Sequence, residues 1–242
     1  MGQVHRQVIT RGTSRLAPLG TLALCIGMGL GLTACSSSPR QSAALQQVDD
    51  LLGRIERFQA ETERTRERAQ KTLASLQVLF DESREAEPLR EYEEFVEALE
   101  LSRQQAYLHR KAFEEMKQRA EPFFFEWQLQ LESFANPSMR RRSQQRLTQT
   151  RGRYSSIERL GEPALSNYES INIALGDCAV FLGRDFHPDA VQMIRKDAHR
   201  IAGRTGRLEL QLEGCLEATR EYVRESGFDR GEGEPLVDPT RD

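Results

Sequence analysis

The fold is decided by the stretch Val191-Gln-Met-Ile-Arg-Lys-Asp-Ala-His-Arg-Ile-Ala-Gly-Arg-Thr205. Small or apolar side chains recur in it at alternating steps of three and four residues, which places them on one side of an α-helix. The same spacing continues through Leu208, Leu212, Cys215, Thr219 and Tyr222. Such a stripe is buried against other helices. We therefore predict a long core-facing helix that ends at Gly227, in the position of a left-handed C-terminal cap.

Three earlier segments show the same alternation. They run from Leu45 to Phe80, from Tyr92 to Phe134 and from Ser143 to Leu182. Proline disfavours helix in the residue before it, so breaks are expected near Pro88, Pro137 and Pro188. Short turns between long helices favour antiparallel neighbours. The sequence thus predicts an all-α fold, an elongated antiparallel helical bundle of three to four long helices with coiled-coil-like packing.

Some local details follow from the same pattern. Gln59, Thr62 and Arg66 occupy the predicted seam of the first helix, so its centre is expected to pack loosely. Ser138 is a candidate N-cap for the third helix. Pro122 and Pro163 fall inside helical segments, where proline kinks a helix or splits off its last turns. On the second and third helices, Phe123, Tyr154 and Tyr168 are among the residues expected on the buried side.

Composition limits the classes of function. The 242 residues carry 29% charged and 38% hydrophobic side chains, with a formal net charge of −3. This composition is typical of long solvated helices, and the near balance of charge gives no global nucleic-acid signature. A single apolar run, near the N-terminus, excludes a polytopic membrane protein.

That apolar run has the layout of an export signal. Arg6, Arg11 and Arg15 precede it without any acidic residue, and it extends from residue 16 to residue 32. It ends in Leu32-Thr-Ala-Cys35, which resembles the bacterial lipobox. The resemblance implies cleavage before Cys35 and acylation of Cys35, and Ser36 resembles the residue that sorts lipoproteins to the outer membrane. The alternative is an uncleaved membrane anchor.

These features predict four regions. Residues 1–34 form a lipoprotein signal peptide, residues 35–42 a short tether, residues 43–225 the helical bundle and residues 226–242 a disordered tail. The tail has no periodicity and contains Gly231, Gly233, Pro235 and Pro239.

Four short stretches carry a family resemblance. They are Phe124-Phe-Glu-Trp127, Asn136-Pro-Ser-Met-Arg-Arg-Arg-Ser143, Thr150-Arg-Gly-Arg-Tyr154 and the region from Val180 to Ala190. Together they resemble a bacterial family of exported, all-helical proteins of unknown function. The resemblance implies a helical fold and a location in the cell envelope, and it carries over no catalytic residue.

Two clusters are candidates for contact with a membrane or a partner. Successive helical residues turn by about 100°, so Phe123, Phe124 and Phe125 span about 200° and at least one ring is expected outside the core. Either all three rings are covered, or Phe124 and Phe125 contact a partner chain or a membrane. The second cluster is Arg140, Arg141 and Arg142. Its arginines either pair with glutamates on a solvated face or, beside the tethered end, face anionic head groups.

No catalytic residue, cofactor site or metal site is indicated. The four histidines lack the paired spacing of a zinc-binding helix. Cys178 and Cys215 are about 8 and 29 residues from the expected turn, an axial offset on the order of 30 Å, whereas a disulfide needs Cα atoms within about 7 Å. Both are predicted to be free, buried thiols.

The sequence therefore favours a non-catalytic lipoprotein of the cell envelope. We expect it in the outer membrane facing the periplasm, anchored by acylated Cys35, with the bundle acting as a scaffold or binding a protein partner or another copy of itself. Nucleic acid and small-molecule substrates are not expected partners. Two alternatives remain: an exported hydrolase or metal-binding protein with a site between helices, and an intracellular coiled coil associated with nucleic acid.

Overall fold

The computed structural model describes residues 39–80, 87–184 and 186–226, with side chains from residue 45 onward. They form four long helices: α1 (Pro39–Val78), α2 (Pro88–Gln130), α3 (Pro137–Arg184) and α4 (Pro188–Glu225). A short 3-10 helix (Leu131–Ser133) extends α2. The described residues contain no strand. The prediction of an all-α helical bundle is confirmed, with four helices.

Each of the four helices begins at a proline, at Pro39, Pro88, Pro137 and Pro188. Proline suits the first helical position because its fixed φ is already helical and its missing N–H would have no partner there. Helix α1 starts at Pro39 rather than at residue 43, so part of the predicted tether is helical. The helices run without interruption through Pro122 and Pro163.

Side-chain contacts show that neighbouring helices are antiparallel. Helix α1 meets α2 through Arg54–Glu115 and Thr72–Ala98, so residue numbers rise on one helix as they fall on the other. The same inverse order relates α2 to α3 through Trp127–Ser143 and Tyr92–Ala179. It relates α3 to α4 through Asn167–Gln211 and Ser170–Arg204. It relates α1 to α4 through Glu63–Arg220 and Gln70–Glu209. The bundle therefore has up-down-up-down topology.

The core has two apolar halves. We call the end of the bundle that holds the starts of α1 and α3 the basic end, and the opposite end the far end. The half toward the basic end contains Phe58, Phe113, Phe124 and Tyr154. The half toward the far end contains Phe95, Tyr168, Leu175, Leu182, Val191 and Ile201.

A buried polar layer separates the two halves. Thr62, Thr65 and His109 are each 0% exposed, and Gln105 beside them is 5% exposed. The Gln105 amide donates to the Glu61 carboxylate at 2.9 Å. The prediction that the centre of α1 packs loosely is therefore wrong, because hydrogen bonds fill this layer.

The seam of α1 also differs from the prediction. Phe58 and Thr65 are fully buried, whereas the expected seam residues Gln59 and Arg66 are only half-buried. Both registers share Ile55 and every seventh residue after it, so spacing alone does not separate them. Phe58 decides between them, because burying its large ring removes more apolar surface from water than burying Gln59.

Helix ends follow local chemistry. The Oδ1 of Asn136 accepts hydrogen bonds from the backbone N–H groups of Ser138 at 2.9 Å and Met139 at 3.4 Å. Asn136 is thus the N-cap of α3, and the assignment of that role to Ser138 is corrected, since a helix that starts at Pro137 places its cap one residue earlier. Helix α4 ends at Glu225, and the residue after it, the C-cap Ser226, has a right-handed backbone conformation. The predicted cap Gly227 and the tail lie outside the described residues.

Candidate functional site

The basic end brings together the residues that the sequence singled out. Gln47 of α1 donates to Glu126 of α2, and Trp127 Nε1 donates to Ser143 Oγ of α3 at 3.0 Å. The start of α1 therefore lies beside the turn between α2 and α3, as expected for an up-down bundle. Cys35 itself lies outside the described residues.

The three phenylalanines divide between core and surface. Phe123 and Phe124 are buried, at 5.1 Å between ring centroids, and Phe124 also packs on Tyr154 at 5.4 Å. Phe125 is 62% exposed. The prediction that one ring lies outside the core is confirmed for Phe125. Phe124 is corrected: at 2% exposure it is unable to contact a membrane or a partner, because its side of α2 faces α3.

Arg140, Arg141 and Arg142 are exposed at the start of α3. The guanidinium of Arg140 donates to the Phe134 carbonyl at 3.1 Å. Among the described residues, no carboxylate lies within 4.0 Å of any of the three, so the expected pairing with glutamates is not seen there. The first turn of α3 also has no acidic residue to offset the positive end of the helix dipole. Among the described residues, the start of α3 therefore presents three exposed arginines that have no ion-pair partner.

Exposed apolar side chains also occur at this end of the bundle. Leu45, Phe125, Leu129 and Met139 are between 46% and 62% exposed. A shallow hollow of about 170 Å³ lies among Gln47, Val48, Phe123, Trp127 and Gln130. Basic and apolar side chains on one surface are suited to a lipid interface, where rings enter the head-group layer and guanidinium groups meet phosphates.

A second surface, near the far end, was not singled out from the sequence. A groove of about 430 Å³ runs between α3 and α4, with Phe181 and Met193 at its rim and Asp197 and Arg200 along its wall. Beside it, Val180 is 62% and Met193 70% exposed. The signal was available in Ile173, Asp177, Val180 and Phe181, which repeat at helical spacing outside the main seam.

The three histidines in the described part of the chain have structural partners. His109 is enclosed between Thr62 and Thr65, and burial lowers its pKa to about 3. Nδ1 of His187 accepts from the N–H of Asp189 at 3.3 Å, which makes His187 the N-cap of α4. His199 lies 2.8 Å from the Arg195 carbonyl. No group of three or more His, Cys, Asp or Glu in the described part of the chain is arranged to hold a metal ion.

Cys178 and Cys215 are free and buried, as predicted. Burial raises the pKa of the Cys178 thiol to about 11 and that of the Cys215 thiol to about 12. Burial therefore disfavours the reactive thiolate form of both cysteines. Cys25, like Cys35, falls outside the described ranges.

The fold and these surfaces define an antiparallel four-helix bundle protein with one basic end. No helix within the described ranges is long and apolar enough to cross a bilayer. The chain belongs to the family described as "Protein of unknown function (DUF2959)", whose model matches residues 40–225. The expected membership of an uncharacterised helical family is thereby confirmed. No curated protein matches the chain, and no solved structure matches it either.

Proposed function

We propose that this protein is a lipid-anchored lipoprotein of the cell envelope whose bundle is a non-catalytic scaffold or partner-binding element. The observation that carries the proposal is Leu32-Thr-Ala-Cys35, which follows an export-type segment and directly precedes the helix that begins at Pro39. Three serines, Ser36 to Ser38, separate Cys35 from that helix.

The short separation supports a defined attachment point. Only three residues lie between Cys35 and Pro39, so an acyl group on Cys35 would be attached close in sequence to the first turn of α1. The basic end, with Phe125 and the three arginines, would then be the part of the bundle nearest to the membrane. Each basic residue near an anionic surface contributes about 1 kcal/mol, which adds to the hold of the acyl chains.

The far end supports the scaffold role. Helix α3 has 48 residues and is therefore about 70 Å long. With the basic end on a bilayer, the groove at Phe181 and Met193 would be presented well away from the membrane. Its exposed apolar rim, with Asp197 and Arg200 alongside, suits contact with a protein surface.

Labelling in the native cell tests the anchor. A palmitate analogue should label the wild-type protein, and mass spectrometry should find the N-terminal peptide starting at acylated Cys35. Cys35→Ser should abolish the label and leave residues 1–34 attached. Cys25→Ser is the matched control and should change neither readout. Recovery of unlabelled wild-type protein from the cytosol with residues 1–34 intact would overturn the proposal.

Vesicle binding tests the orientation. Purified protein that starts at Ser36, and so has neither the apolar N-terminal segment nor Cys35, should bind vesicles that contain anionic lipid at low salt and should lose binding at high salt. Replacing Arg140, Arg141 and Arg142 with alanine should weaken binding about tenfold or more. The triple replacement of Arg159, Arg184 and Arg207, which are exposed elsewhere on α3 and α4, is the control. Equal binding by both triple variants would contradict a membrane-facing basic end.

A further inference from the structure

The groove between α3 and α4 lies in the half of the bundle toward the far end. Ala174, Cys178 and Ile201 line it, and its volume is about 430 Å³. We call the outward surface of residues 173–181 on α3 and 193–204 on α4 the groove face. Four large apolar side chains on this face are 41% to 70% exposed: Ile173, Val180, Phe181 and Met193. Exposed apolar side chains that gather on one face indicate a contact surface for another protein.

The charged side chains of the groove balance one another. Asp177 and Asp197 lie along it together with Arg200 and Arg204. Arg200 pairs with Asp197 of its own helix at 3.1 Å. A guanidinium group has five N–H donors, so Arg200 is also able to bind a second carboxylate. A face with both signs of charge suits a partner that carries the same balance, and a second copy of this chain is such a partner.

Contacts across the α3–α4 interface determine which residues lie at the same height along the bundle. Two hydrogen-bonded pairs cross it, Asn167–Gln211 and Ser170–Arg204. Because the two helices are antiparallel, each residue forward on α4 corresponds to one residue backward on α3. Arg200 therefore lies level with about residue 176, close to the height of Asp177, and Met193 with about residue 183, close to the height of Phe181.

These heights make the groove face complementary to itself. A twofold axis along the groove places α3 of one copy against α4 of the other and keeps each residue at its own height. Asp177 then faces Arg200 of the second copy, and Phe181 faces Met193 of the second copy. Symmetry makes each contact occur twice. An acidic group thus meets a basic one, and an apolar side chain meets an apolar one.

A twofold axis across the bundle would give a different arrangement. It would place α3 against α3 of the second copy in the opposite direction, so the two basic ends would point away from each other. Helix α3 has 48 residues and is about 70 Å long, so the two anchored ends would not reach one bilayer. The axis along the groove keeps both basic ends on the same side, and this choice of axis rests on the proposed lipid anchor.

We propose that the groove face binds a second copy of this chain, in a parallel dimer whose twofold axis runs along the groove. Helices α3 and α4 of the two copies then pack as four antiparallel neighbours. The contact covers the rings of Phe181 and the side chains of Met193, and it pairs Asp177 with Arg200 between copies. The partner of the scaffold is therefore another scaffold on the same membrane.

Charge reversal tests the pairing, with sedimentation velocity of protein that starts at Ser36 as the measurement. Over a concentration series this protein should show a reversible equilibrium between monomer and dimer. Asp177→Arg and Arg200→Asp each bring like charges together, and each should weaken dimerisation about tenfold or more. An equimolar mixture of the two variants should restore the dimer, because both contacts in a mixed dimer again join an acid to a base.

Glutamate substitutions test the apolar part of the contact. Phe181→Glu with Met193→Glu should weaken dimerisation about tenfold or more, because the contact would bury facing carboxylates. Leu108→Glu with Leu210→Glu is the matched control outside the groove face. The replaced side chains are 46% and 74% exposed in the control and 41% and 70% exposed in the test pair. The control should leave the equilibrium unchanged, and circular dichroism checks that all variants keep their helices.

Three results would overturn the proposal. One is a protein that stays monomeric at about 1 mM, the effective concentration that tethering provides, which would leave the groove face to a different protein. Another is a dimer that the mixture of Asp177→Arg and Arg200→Asp does not restore. The third is a dimer that the test and control glutamate pairs weaken equally. The measured protein has no acyl group, so these results and the palmitate labelling of Cys35 succeed or fail separately.

Discussion

The hydroxyl oxygen of Thr62 lies 3.0 Å from Nε2 of His109, between α1 and α2. Thr62 donates its own proton to the Phe58 carbonyl at 2.8 Å, so its oxygen accepts from the ring and Nε2 carries the hydrogen. The other ring nitrogen, Nδ1, then accepts from the hydroxyl of Thr65 at 3.1 Å. Every polar atom of the imidazole is therefore satisfied in its neutral form, in a layer without solvent.

This arrangement predicts that the fold loses stability in mild acid. Burial and, to a smaller extent, the nearby positive charge of Arg110 together lower the pKa of His109 from its usual 6.5 to about 3. Between these values the unfolded chain binds one proton more than the folded chain. Stability is therefore complete above pH 6.5 and falls as the pH drops toward 3. From pH 6.5 to pH 5 the free energy of unfolding should fall by about 2 kcal/mol from this residue.

Urea unfolding at pH 7 and pH 5 measures the effect, with His109→Gln as the comparison. The variant has no titrating ring, so it should lose about 2 kcal/mol less over this range than the wild type. The histidine at position 199 is exposed, and His199→Gln should behave like the wild type. Identical pH profiles for the wild type and His109→Gln would contradict a neutral buried ring.

Two glycines in α3 should respond in opposite directions to alanine. A Cβ at Gly161 would lie 2.8 Å from Cε2 of Phe113 and 3.1 Å from Cζ of Phe58, so three helices approach closely there. Gly161→Ala should destabilise the protein by about 1–3 kcal/mol, because the rings must shift. A Cβ at Gly152 meets nothing within 4 Å, and Gly152→Ala should stabilise by about 0.5–1 kcal/mol through the better helix propensity of alanine.

Thermal and urea unfolding of the two variants measure the difference. Phe113→Leu makes room beside Gly161. If close packing causes the effect, Gly161→Ala should lower the free energy of unfolding less in the Phe113→Leu background. A penalty of equal size at both glycines would show that backbone effects, rather than the two rings, decide the outcome.

Substitution of Phe124 should affect the stability of the fold, whereas substitution of its neighbour Phe125 should affect binding at the surface. Phe124→Ala removes a ring that is 2% exposed and should lower the free energy of unfolding by about 3–5 kcal/mol. Phe125→Ala removes one that is 62% exposed and should change it by less than about 0.5 kcal/mol.

Phe125→Ala should instead weaken the binding of protein that starts at Ser36 to anionic vesicles, since an exposed ring contributes apolar area at a lipid interface. Leu210→Ala, at an exposed apolar residue in the middle of α4, is its control. If Phe125→Ala and Leu210→Ala bind vesicles equally well, Phe125 has no part in a membrane contact.

Much of this fold was predictable from spacing, because a helix period and a proline act locally. The four prolines that begin the helices and the apolar repeat from Val191 to Tyr222 determine where the helices start and which faces they bury. The sequence pattern alone did not show whether Phe58 or Gln59 occupies the buried side of α1. It depends on which residue of α1 meets Phe113 and His109 of α2, and these contacts exist only after the helices pack.

At the basic end too, the sequence predicts some features, whereas others depend on how the helices pack. The sequence indicates that one phenylalanine is exposed, since three consecutive rings exceed the width of a buried stripe. It does not identify Phe125, because that depends on the rotation of α2 against Tyr154. In the groove between α3 and α4, the height of Arg200 relative to Asp177 depends likewise on how far the helices slide along one another. Helix periodicity does not encode that offset.

The two cysteines in α3 and α4 should stay reduced and inert while the protein is folded. Their pKa values of about 11 and about 12 exceed the ordinary value of 9.0, because burial disfavours the thiolate. At pH 8 the deprotonated fraction is about 100-fold lower for Cys178, and about 1000-fold lower for Cys215, than for a thiol with the ordinary pKa. Burial also keeps the reagent away from both thiols. In protein with Cys25→Ser and Cys35→Ser, a thiol reagent should therefore react at least 100-fold more slowly in buffer than in urea. Two thiols per chain should react in urea without prior reduction. If the two thiols react only after a reducing agent is added, a disulfide joins Cys178 and Cys215. That result would contradict the structure, in which the two residues are separated along the bundle.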